Sequence, residues 1–172
     1  MGGFDPLQVS AGLAIGGLLF FAGLFYWGGK FRSMRRTSII TYGIIGGAVM
    51  LGAGAAINHV GADSLPLLLA LVAIAAVGLF VLAGATPAAI GLLADMTEAY
   101  PDDRGAIMGL YSVFLGLGQI LGSIVGGVAA QAAGLDGILF ASLILLAIAF
   151  LPLSRLRRYE HRVGGVAAGD HA

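Results

Sequence analysis

Few residues in this 172-residue chain could do polar chemistry, and their placement limits what that chemistry could be. There are nine acidic and nine basic side chains and no cysteine. The last fact excludes disulfides, thiolate metal sites and cysteine nucleophiles. No ionisable group lies deep inside an apolar stretch, where proton-coupled carriers usually place one. Gln119 is the one strongly polar side chain near the middle of such a stretch, and Ser112 and Ser123 share its helix face. An amide there either hydrogen-bonds a solute or water in a central cavity, or bonds a neighbouring helix for about 0.6–2 kcal/mol. The hydroxyls have another option, the carbonyl of the preceding turn. Thr86-Pro87 interrupts a second stretch. It is either a hinge or a static kink, because proline removes one helical hydrogen bond.

The acidic cluster Asp95, Asp102 and Asp103 would suit a metal-dependent phosphotransferase. It sits in one loop, without the second acidic group at helical spacing that a two-metal centre wants. Paired acidic, His or Ser groups at catalytic spacing, which a membrane hydrolase or transferase would need, are not evident. Asn58 and His59 occupy a rim, and His161 and His171 lie in the C-terminal tail with no metal-ligand spacing. The expectation is a protein that is not an enzyme, with no cofactor and no metal. Nucleic-acid binding has no support either, since the basic clusters are short and adjoin apolar segments.

The elements that position these residues are set by composition. Hydrophobic residues make up 59% of the chain and charged ones 10%, where a soluble domain carries about 25% charged. With a mean hydropathy of +0.97, the chain reads as an all-α integral membrane protein. Five segments approach or exceed the ~20 residues a span requires: Leu7–Trp27, Thr37–Val60, Leu65–Leu93, Ala106–Ala132 and Leu135–Leu153. The third is longer than needed and is expected to tilt, or to bend at Pro87. The last two are separated by a short turn at Gly134–Asp136 and should form an antiparallel hairpin. Residues 1–158 read as one membrane domain, and 159–172 as a tail without ordered structure.

All nine cations fall in three places: Lys30, Arg32, Arg35 and Arg36; Arg104; and Arg155, Arg157, Arg158 and Arg162. With five spans these lie on one side, while Asp5, Asp63 and Asp136 lie on the other. The positive-inside rule then places the N-terminus outside and the C-terminus in the cytoplasm of a plasma-membrane protein. No positive charge precedes the first segment, so it does not read as a cleaved signal. Asp95 and Glu98 end the third segment on the same side as Arg32, Arg35 and Arg36. They form either a gate of ion pairs or solvated loop charges worth about 0–1 kcal/mol per pair. Arg104 is badly placed for the dipole of the helix it opens, and an acidic partner, Asp102 or Asp103, is expected beside it.

The segment Arg104–Ala130 separates into two faces at roughly 100° per residue. Gly105, Gly109, Ser112, Gly116, Gln119, Gly122, Ser123, Gly126, Gly127 and Ala130 lie on one, and bulky residues such as Leu110, Phe114, Leu121 and Val128 on the other. Small residues suit close backbone contact and large ones lipid. Segments one, two and four, all glycine-rich, are therefore expected to be tightly packed, and the bulky fifth to face lipid at the periphery.

Three features resemble the C-terminal half of a major facilitator superfamily transporter, helices eight to twelve of twelve. Ala94–Gly127 (ADMTEAYPDDRGAIMGLYSVFLGLGQILGSIVGG) is similar to the link into the family's eleventh helix. Within it Gly118, Gly122, Gly126 and Gly127 resemble the G-x-x-x-G-P-x-x-G-G antiporter signature. That signature belongs to the other half, and Ser123 stands where its proline would be, so the glycines are read as packing residues. Trp27–Arg36 (WGGKFRSMRR) resembles the loop motif G-x-x-x-D-R-x-G-R-R. Arg32, Arg35 and Arg36 match, while Phe31 replaces the acid and Met34 the second glycine. The third feature is the order of basic and acidic loops.

The resemblance implies transport of an unknown small solute across the lipid bilayer. Gln119, Ser112 and Thr86 are the cavity candidates. Pro87, Gly109, Gly116, Gly118, Gly122, Gly126 and Gly127 are the hinge and packing residues, and Arg32, Arg35, Arg36, Asp95, Glu98 and Arg104 the cytoplasmic gate. Solute binds between two six-helix halves in such carriers, so the chain is expected to be a fragment or split half. It would act with a missing N-terminal half or another copy of itself. The competing reading is a non-transporting structural or accessory membrane protein that works through a partner.

Overall fold

An apolar segment in lipid has no water to serve its backbone, so each must close its own hydrogen bonds as a helix. In the computed structural model, which describes residues 6–30, 34–60, 64–98 and 100–169, the elements are α1 (Pro6–Lys30), α2 (Arg36–His59), α3 (Leu65–Leu82), α4 (Ala85–Glu98), a 3-10 turn (Pro101–Asp103) and α5 (Arg104–Gly169). No strand occurs among the described residues.

The third apolar segment is two helices. Pro87 has no N–H for the carbonyl four residues back, Ala83, and its ring crowds that oxygen. The ladder therefore fails at Ala83–Gly84, before the proline and not at it. Gly84 N–H bonds the Val81 carbonyl at 3.3 Å, and α4 begins with Ala88 N–H on the Gly84 carbonyl at 3.2 Å.

α5 holds 66 residues, about 100 Å if it were straight, against a hydrocarbon core of about 30 Å. It turns a corner at Ala133 (φ −145°, ψ 22°) and Gly134 (φ +59°, ψ −136°), the second in a conformation that glycine adopts without a Cβ penalty. Beyond the corner Gly137 lets the returning chain pass against the Ala129 carbonyl. The helix is continuous as far as Gly169.

Close approaches give the helix directions. Gly43 meets Ala85, and Gly46 meets Gly78 and Val81, so α2 runs antiparallel to α3 and α4. Gly16 meets Leu79 and Gly23 meets Phe80 and Ala83, so α1 runs parallel to α3. Gly54 meets Leu139 and Gly47 meets Leu146, so the second part of α5 is antiparallel to α2. α2 is the hub, packed against α3, α4 and α5.

One packing expectation holds and one is corrected. Bulky segment five lies at the periphery, with Phe140 69% and Leu151 64% exposed, while Leu146 and Leu139 on its inner side project onto Gly47 and Gly54 of α2. Segment four is not tightly packed. Between Arg104 and Ala132 nearly every position is exposed, and a Cβ at Gly105, Gly109, Gly116, Gly118, Gly122, Gly126 or Gly127 would meet nothing within 4 Å. Large apolar side chains cover the outside of the bundle, with Phe25 83% and Leu13 74% exposed, a surface suited to lipid and not to water.

Candidate functional site

The best-buried part of the bundle surrounds the helix break. Ile39 of α2 and Ala88 of α4 are fully buried there with Trp27 of α1, and Met34, Ile40 and Val81 lie against them. Thr37 and Thr97 are buried too. Thr97 satisfies its hydroxyl on the Ala94 carbonyl at 2.8 Å. Glycines bring the backbones together: a Cβ on Gly84 would stand 2.6 Å from Trp27 Cγ, and one on Gly43 2.5 Å from the Ala85 Cβ. Trp27 Nε1 donates to the Phe80 carbonyl at 3.1 Å. Tyr26 stands edge-on to Trp27, Tyr42 stacks beside it, and Lys30 Nζ lies 5.7 Å from the Tyr26 ring centre.

At the basic end, Arg36 at the start of α2 grips Asp95 near the end of α4. Nε donates to Oδ2 at 2.5 Å and Nη2 to Oδ1 at 3.0 Å. The guanidinium lies against Gly91, where a Cβ would collide with it. The pair is bidentate, the stronger kind, yet the side chains are 26% and 51% exposed, so its net worth is about 0–1 kcal/mol. It ties the start of α2 to the end of α4.

At the opposite end Asp136, just past the α5 corner, takes Asn58 Nδ2 at 2.9 Å and lies 3.2 Å from His59 Nε2. Two side chains ending α2 thus hold the corner in place. The sequence read both as ordinary rim residues.

A family model described as Major Facilitator Superfamily matches residues 3–170. The chain belongs to that superfamily. It is accordingly a multi-pass membrane protein of a transporter family, and its four candidate membrane-spanning stretches agree, the last of them being the two passes of α5. No curated protein and no solved structure matched the chain.

In this major facilitator chain the structure brings some of the expected residues together and separates others. Arg36 and Asp95 pair. Arg35 and Glu98 are exposed at the same end, and Arg32 lies outside the described residues. The partner expected for Arg104 is not there: Asp102, Asp103 and Arg104 are all exposed, and no ion pair joins them. The two acids occupy the 3-10 turn that leads into α5, where negative charge offsets the misplaced Arg104 through the helix dipole. Gln119 stands exposed on α5. Ser112 and Ser123 spend their hydroxyls on the carbonyls of Met108 (3.0 Å) and Gln119 (2.8 Å). Thr86 is exposed in the first turn of α4. Sequence reasoning missed Trp27, Phe80 and Gly84. The signal was present: a lone tryptophan one turn after Gly23, and a proline whose effect falls four residues upstream.

Proposed function

We propose that the chain is the C-terminal part of a secondary transporter for a small solute, set in the plasma membrane with its N-terminus outside and its C-terminus in the cytoplasm. The observation that carries this reading is the family match over residues 3–170, on helices whose described cations Lys30, Arg35, Arg36, Arg104 and Arg155 all stand at one end of the bundle. Arg36 and Asp95 act as a cytoplasmic latch between α2 and α4 that opens during the cycle, with Arg35 and Glu98 beside it. Gln119, Ser112 and Thr86 face the solute path once the other half is in place.

The open small-residue face of α5 supports a carrier completed by a second polypeptide, either an N-terminal half or another copy. A membrane helix with glycines free on one face and leucines on the other has room for a close neighbour there. Uptake is tested in proteoliposomes over a panel of radiolabelled sugars, amino acids and organic ions. The chain is assayed alone, at raised protein density, and co-reconstituted with an N-terminal six-helix half. Uptake in either of the last two supports the reading. Uptake in none of them, with the chain correctly inserted, favours the accessory role.

A further inference from the structure

We propose that the Phe80 carbonyl is the switch point of a two-state hinge: it accepts the Trp27 indole N–H in the bent form seen here and the Gly84 N–H in a straightened form. This rests on the transport reading only in supposing that α4 moves during the cycle; the hinge itself is a property of the packing.

In an unbroken helix Gly84 N–H would bond Phe80, four residues back. Here it bonds Val81 at 3.3 Å, and Trp27 Nε1 reaches across from α1 to Phe80 at 3.1 Å. The bond is partly buried, with Ala83 fully buried and Gly84 buried beside it. Inside an apolar bundle a carbonyl left without a donor is costly. One of the two N–H groups must therefore hold it in each form.

Close packing couples the two donors. The indole rests directly on Gly84, with 2.6 Å between Trp27 Cγ and the position of a Gly84 Cβ. Gly84 has no slack against the ring, so in the proposed exchange the ring withdraws as Gly84 returns to the helical ladder. Gly23 keeps the other side clear: a Cβ there would be 2.8 Å from both the Phe80 oxygen and the Ala83 Cβ. Pro87 keeps the straight form from winning outright, since it leaves the Ala83 carbonyl without a helical donor in either form. The two states thus differ by the exchange of one hydrogen bond for another, and small forces on α4 decide between them. Such forces reach it through Asp95 at its far end, held by Arg36.

The test reads the bend itself, without solute, so its failure is distinct from a failure of the transport reading. Leu69 on α3 and Ile90 on α4 are both exposed, and the chain has no cysteine. Leu69→Cys and Ile90→Cys carry spin labels, and their separation is measured by pulsed electron resonance with the full chain in lipid nanodiscs. Trp27 is replaced by β-(3-benzothienyl)alanine, which keeps the fused ring and lacks the N–H, and Pro87→Ala supplies the straight-form reference. The expected result is a longer distance in Pro87→Ala, and a rise of about five- to tenfold in that same population in the benzothienyl variant, the factor one net hydrogen bond carries. A native distribution in the benzothienyl variant beside a lengthened Pro87→Ala overturns the switch. An unchanged Pro87→Ala overturns it also, since no straight form is then within reach.

Discussion

Gly46 of α2 and Gly78 of α3 meet backbone against backbone. A Cβ on Gly46 would stand 2.8 Å from the Gly78 carbonyl oxygen, and one on Gly78 2.6 Å from the Gly46 oxygen. Neither neighbour is a flexible side-chain end that could move aside. Gly46→Val or Gly78→Val is expected to destabilise the chain by about 1–3 kcal/mol, the usual cost of overpacking. Gly52→Val, into open space, is expected to change stability by less than about 0.5 kcal/mol. Unfolding in mixed micelles, followed by the fluorescence of the single tryptophan, checks both.

The Arg36–Asp95 pair is expected to matter to transport more than to stability. Arg36→Asp and Asp95→Arg each bring like charges together and should abolish uptake, while melting changes by no more than a few degrees for a loss of about 1 kcal/mol. The double exchange should restore most of the uptake. Gly91→Ala, which displaces the guanidinium without altering charge, should lose part of it. If the double exchange is as inactive as the singles, the latch is wrong.

Orientation is open to direct labelling, because a cysteine-free chain gives no background. A cysteine replacing His59 should react with an impermeant maleimide added outside intact cells. One replacing Arg35 or Arg155 should react only after permeabilisation. Labelling of Arg35→Cys and Arg155→Cys from opposite sides would break the five-pass topology.

Gln119 separates solute contact from packing. Gln119→Ala should raise KM at least tenfold with little change in melting, if the amide meets the solute in the assembled carrier. A stability loss of about 0.6–2 kcal/mol with KM unchanged would instead make it a bond between helices.

Much of the fold was legible in the residues. Apolar runs bounded by cations mark the helices, and the grouping of Lys30, Arg35 and Arg36 with Arg104 and Arg155 marks the end at which they meet. The pairing of an α2 arginine with an acid at the end of α4 was legible as a set of choices, and the structure selects Arg36 and Asp95. The packing of the fourth segment was not legible. Glycine content shows that a helix can approach another closely, but not that a neighbour is present. The same glycines that bury Gly43, Gly46 and Gly47 in α2 leave Gly109, Gly116 and Gly122 in the open on α5.

Residue types alone establish that the chain is helical, crosses a membrane several times and gathers its cations at one surface, because hydrocarbon, water and charge sort at the level of single residues. The packing of helix on helix is what sets the break at Ala83–Gly84 under the Trp27 indole, makes α2 the hub, and brings Asn58 and His59 to Asp136. Those outcomes depend on which surfaces meet among residues 53 to 78 positions apart. Hydropathy along the chain is blind to such meetings, since every helix here would be equally content against lipid or against its neighbour.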